Sequence, residues 1–145
     1  MHNRSKSTLF LMEQLIAILI FALCGATCVK TFVTSYMMAV ESKDRSNALI
    51  AAEGYAEGYK AVQGNLEEVS AVLGGTVSSD DNTLVVHYDE KWKICDEKDA
   101  AYTLKLASGK PNENEKTLVL GDITVAKSSG GEIISFTTTA RRKGH

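Results

Sequence analysis

The sequence predicts an α+β fold: a long N-terminal helix, transmembrane in its first half and amphipathic in its second, packed on a small antiparallel β-sheet. Three observations predict it. A nearly unbroken apolar run fills residues 9–29, an apolar stripe with alternating spacings of three and four fills residues 48–73, and short β-branched and aromatic segments separated by turn signals follow from Thr83. At 145 residues the chain holds one ordinary domain plus an extension. A net charge of -2 with 44% hydrophobic residues argues against a disordered or nucleic-acid-coating chain.

The first element reads LFLMEQLIAILIFALCGATCV, in which Glu13, Gln14 and Thr27 are the appreciably polar residues. As an α-helix at 1.5 Å per residue it would cover roughly 31 Å, close to the hydrocarbon thickness of a bilayer. Arg4, Lys6 and, weakly, His2 precede it without an acidic residue among them. The positive-inside bias then places the N-terminus in the cytoplasm and the C-terminal part outside. A secretory signal peptide fits less well, because the run is long for an h-region and no A-x-A site follows. Cys24 and Cys28 sit inside the run as small hydrophobes, and with Cys95 they make an odd count that indicates no disulfide framework.

Glu13 is the residue that gives this element a function. A carboxylate inside an apolar helix is costly and marks a functional site by default. The stretch Ser7-Thr8-Leu9-Phe10-Leu11-Met12-Glu13-Gln14-Leu15-Ile16 resembles the prepilin N-terminus of type IV pilins, pseudopilins and related competence proteins. The resemblance implies a basic leader, residues 1–8, removed by an aspartyl prepilin peptidase between Thr8 and Leu9. It makes Glu13 the fifth mature residue, with Thr8 standing where the family's leader ends in glycine. It further implies that Glu13 pairs with the new α-amino group of a neighbouring subunit in a filament. Such a pair offsets its own desolvation only with good geometry, so it acts as a registry device more than a source of stability. The other reading of Glu13 leaves it near the cytoplasmic interface, where it snorkels to the headgroups or stays protonated.

Residues 9–35 are expected to form the transmembrane half of the helix and residues 36–75 its exposed amphipathic half. Phe32, Tyr36 and Met37 lie at the outer interface, and the polar cluster from Glu41 to Asn47 reads as a continuous exposed turn of the helix or a local kink. The stripe of Ala48, Ala52, Tyr55, Tyr59, Val62, Leu66, Val69 and Leu73 needs cover, and Gly74-Gly75 supplies the helix stop. Its heptad-like spacing also fits a coiled coil, but the strand signals that follow favour a sheet as the cover. Gly54, Gly58 and Gly64 each weaken an isolated helix by about 1 kcal/mol relative to alanine, so tertiary contact must support it.

Residues 76–145 are expected to be the sheet head, an antiparallel meander of TLVVHY, KWKIC, AYTLKLA, TLVLGDITVA and EIISFTTT. Asp89-Glu90, Gly109-Lys110-Pro111-Asn112 and Ser128-Ser129-Gly130-Gly131 supply the turns. Tyr88 and Trp92 read as sheet-face residues of the first hairpin. A helix laid on such a sheet is also the plan that the pilin resemblance implies.

The head offers no pattern for chemistry. Ser108-Gly109-Lys110-Pro111 lacks the second glycine and the hydroxyl residue of a phosphate loop. Asp80-Asp81-Asn82 with Asp89 reads as an acidic turn rather than a calcium loop. His87 has no second histidine nearby, since His2 and His145 are at the ends, and Cys95 beside it reads as a structural thiol. Arg141-Arg142-Lys143 reads as a solvated basic end.

The expectation is therefore a non-enzymatic structural subunit, a minor pilin or pseudopilin, of a type IV pilus-like or type II secretion-like assembly. It would need no cofactor or metal. Its partners would be the membrane, other pilin-like subunits through the N-terminal helix, and a prepilin peptidase, with no nucleic acid established. The alternative is a single-pass, membrane-tethered extracellular binding module with no filament role.

Overall fold

The computed structural model describes residues 2–80, 82–109 and 117–143. The turn expected at Gly109 to Asn112 lies outside the described residues from Lys110 onward, as do Asp81 of the acidic turn and His145. The chain divides into two compact units, one ending at Ser42 and the other starting at Lys43.

The first unit is helical, being the N-terminal part of α1 (His2–Ala61). Its apolar side chains are exposed, Leu9 at 64% and Phe21 at 82%. A helix that is apolar on all sides belongs in a bilayer or among other helices, and α1 is long and apolar enough to cross a membrane. Three threonine hydroxyls in its C-terminal part are satisfied within the helix. Thr27, Thr31 and Thr34 donate to the carbonyls of Cys24, Thr27 and Lys30 at 2.8–2.9 Å, which leaves none of these donors unpaired in a non-aqueous medium.

In the second unit the rest of the polar cluster is helical, and α1 stops at Ala61, short of the glycine pair. Gln63 and Gly64 take positive φ of 57° and 83°, and the Gly64 N–H donates to the Tyr59 carbonyl at 2.9 Å. Glycine makes that left-handed exit inexpensive. Asn65 then caps a second helix, α2 (Leu66–Leu73), by accepting from the Glu67 N–H, with Glu67 and Glu68 in its first turn. The expected helix is thus two helices. The stripe nevertheless survives the break, with Ala48, Ala52, Tyr55, Tyr59, Leu66 and Val69 all buried. Gly74 ends α2 with φ of 90°.

The sheet contains β1 (Thr76–Val77), β2 (Thr83–Tyr88), β3 (Tyr102–Ser108), β4 (Leu118–Lys127) and β5 (Glu132–Arg141), antiparallel throughout and in sequence order. The meander is as expected, with two differences. The segment KWKIC is not a strand: only Ile94 bridges, to Tyr88, while Asp89 accepts from the Lys91 and Lys93 N–H groups and Trp92 sits at φ 60°. A side chain that closes its own backbone turn competes with strand pairing, and here it wins. Trp92 is accordingly a turn residue rather than a strand residue. The short β1 carries no readable strand signal and forms by pairing with Leu84 and Val85.

Alternation along the strands buries one sheet face. Leu84 and Val86 of β2, Leu104 and Leu106 of β3, and Ile123 and Val125 of β4 face the helical stripe and are at most 1% exposed. Gly121 of β4 shows how closely the layers meet. A Cβ there would lie 2.8 Å from the Tyr59 ring, whose hydroxyl lies 2.9 Å from Ser108 Oγ. A glycine inside a strand marks such an approach. Gly121→Ala should therefore force the ring off its bonds and cost about 1–3 kcal/mol. Chemical denaturation of the detergent-solubilised chain measures this, and an unchanged midpoint would contradict the packing described.

Candidate functional site

Glu13 lies in the first unit, on α1, surrounded by exposed Leu9, Phe10, Met12 and Ile16. Leu9 is one helical turn before it, so the two share a face. The Thr8–Leu9 bond also lies within α1. Among the described residues there are two ion pairs, Lys60 with Glu57 at 3.3 Å and Lys127 with Asp44 at 3.1 Å, and Glu13 is in neither. Its carboxylate has no hydrogen-bond partner there either. A carboxylate on an apolar helix without a partner among the described residues is costly in an apolar medium, which makes Glu13 the candidate site.

The second unit begins with an anchor that sequence reading missed. Asp44 is on the half-buried side of the polar cluster; its Oδ1 accepts from the Tyr102 hydroxyl at 2.9 Å and its Oδ2 pairs with Lys127 Nζ. Tyr102 opens β3 and Lys127 ends β4, so one carboxylate ties the start of this unit's helix to two strands. Trp92 stacks on Tyr102 at 4.2 Å between ring centroids and meets Tyr88 at 5.6 Å. The positive-φ turn at Trp92 thus has a purpose: it lays the indole over the end of the sheet. Nothing local in the sequence signals this set, because Asp44 is 58 residues from Tyr102 and 83 from Lys127, and Trp92 sits in a turn.

The outer sheet face carries an open groove of about 690 Å³ lined by His87, Cys95, Asp96, Glu97, Lys105 and Lys127, among others. His87 Nδ1 lies 3.2 Å from Thr103 Oγ1. The fold does bring His87 and Cys95 into one groove, the Cys95 N–H donating to the His87 carbonyl. Desolvation, then the charges of Asp89, Asp99 and Asp96, push the Cys95 thiol up, against thiolate formation. No three His, Cys, Asp or Glu groups come together to hold a metal among the described residues. Asp89 is held below the usual carboxylate range, chiefly by the Lys93 N–H and also by that of Lys91, consistent with its turn-closing role.

Burial, followed by the hydrogen bond to and charge of Asp44, pushes Tyr102 up to about 12. Tyr55 and Tyr59 are raised by burial as well. A tyrosine raised in the folded state holds its proton where the unfolded chain has lost it. Its stabilisation is complete below about pH 10 and is lost as pH rises from there through about 12. The second unit should accordingly lose stability over that window. In Asp44→Asn the Tyr102 titration, followed by phenolate absorbance, should move to lower pH. An unmoved titration would contradict the Asp44 contact.

The chain is consistent with a pilin-like architecture: a long N-terminal helix, apolar in its first unit, and a small antiparallel sheet that packs on the helical residues of the second. No protein-family model matches it, and no curated protein and no solved structure matches it either.

Proposed function

We propose that this chain is a structural subunit, a minor pilin or pseudopilin, of a type IV pilus-like or type II secretion-like assembly. The observation that carries the reading is Glu13, a carboxylate without a partner among the described residues, on an exposed apolar helix of membrane-crossing length. The N-terminus is cytoplasmic and the head extracytoplasmic, as the basic residues Arg4 and Lys6 before the span favour. A prepilin peptidase cuts between Thr8 and Leu9, and the freed α-amino group of one copy meets Glu13 of the next. The subunit performs no catalysis. Raised by burial and carboxylates, Cys95 supports that part of the reading.

A second reading, a monomeric tethered binding module, is favoured by the outer-face groove. An anchor alone has no use for Glu13, so that residue separates the two. Removing one partner of a buried ion pair costs roughly 3–5 kcal/mol. Glu13→Ala should then lower incorporation into a sheared surface fraction by about a hundredfold or more, read by a tag on the head. Intact mass of the same preparations should show residues 1–8 missing. Undiminished incorporation, or an intact N-terminus on every copy, would sink the assembly reading in favour of the tethered module.

A further inference from the structure

Between the exposed apolar side chains that end at Val40 and the buried stripe that begins at Ala48, residues 41–47 carry no apolar side chain at all. They are helical all the same. Ser42, Asp44, Ser46 and Asn47 are weak helix formers, because their side chains offer the backbone competing hydrogen bonds. The division between the two compact units falls inside this stretch, after Ser42. Neither burial of apolar surface nor intrinsic propensity holds it in place.

Asp44 is what holds it. Its Oδ1 accepts from the Tyr102 hydroxyl at 2.9 Å and its Oδ2 pairs with Lys127 Nζ at 3.1 Å. Among the described residues, no other side chain of residues 41–47 makes a hydrogen bond or an ion pair. The Lys127 side chain is 41% exposed, so water competes for that pair and its own contribution is small. The Tyr102 bond is the firmer one, since its acceptor is charged and its ring is stacked on Trp92. From Ala48 onward the hold is of another kind. Ala48, Ala52 and Tyr59 are fully buried against the sheet, and no single contact decides whether that part of the helix stays.

We propose that residues 41–47 are a latched hinge, with Asp44 as the latch. While Asp44 is engaged by Tyr102 and Lys127, the stretch stays helical. When Asp44 lets go, the stretch unwinds while the stripe from Ala48 and the sheet remain packed. Such an opening is a local event, separate from unfolding of the second unit. It gives the chain a place to bend beside the unit boundary without uncovering the core. The hinge does not depend on the assembly reading above.

Amide hydrogen exchange of the full chain in detergent micelles, read by mass spectrometry on peptides covering residues 42–47 and 52–59, tests it. In the unaltered chain the 42–47 amides should exchange about tenfold or more faster than those of 52–59. Asp44→Ala should speed the 42–47 amides about tenfold further, as loss of a hydrogen bond to a charged acceptor implies, and leave 52–59 unchanged. Adding Ser46→Ala and Asn47→Ala to Asp44→Ala should restore most of the lost protection, because alanine favours the helix. Equal protection of the two peptides in the unaltered chain would overturn the hinge. So would a 42–47 peptide that ignores Asp44→Ala, or a rise of equal size in both peptides, which marks a merely structural contact. Alanines that fail to slow exchange would overturn the weak-helix basis of the opening.

Discussion

A dozen large apolar side chains between Leu9 and Val29 are each more than half exposed. Leaving one such side chain in water costs roughly 1.5–3 kcal/mol relative to burying it, so the set brings on the order of 20 kcal/mol or more. A domain of this size holds only about 5–15 kcal/mol of folding stability. No rearrangement of the head can offset that surface, and only hydrocarbon or neighbouring helices can take it. The rest of the molecule follows from this constraint. One unit is long and apolar enough to cross a membrane and satisfies the hydroxyls of Thr27, Thr31 and Thr34 internally, while the other buries its own core and exposes a Thr- and Ser-rich sheet face.

The same constraint gives Glu13 its meaning. On a solvated helix an exposed glutamate is unremarked, but in hydrocarbon an uncompensated carboxylate is expensive. The helix therefore combines an apolar surface long enough to cross a membrane with one acidic side chain that such a medium disfavours. In the second unit the logic is inverted. Asp44 has its partners built in, Tyr102 and Lys127, and the carboxylate fixes the helix to the sheet. One acidic residue is left open and the other is satisfied.

Much of the fold was legible because periodicity is a local signal. The span, the stripe and strands β2 to β5 all follow from spacing and residue type. The errors came where a single residue outweighed a pattern. Gly64 reads as a tolerable glycine within a helical stripe, yet with Asn65 as a cap it ends one helix and starts another. KWKIC has strand composition, and Asp89 overrides it by closing a turn. The Asp44 anchor and the Tyr59 ring over Gly121 depend on residues brought together by the chain's path, which no local window contains. At the candidate site Glu13 was legible because an acidic residue in an apolar run is itself the signal.

The central claim is that residues 9–35 live in a bilayer. Alkaline carbonate extraction of membranes from cells producing the full chain tests it most directly, since it strips proteins held by charge or by peripheral contact. The account predicts that the chain stays entirely in the membrane pellet. Release into the supernatant would contradict it, because the apolar surface of α1 would then have to be covered by something other than lipid.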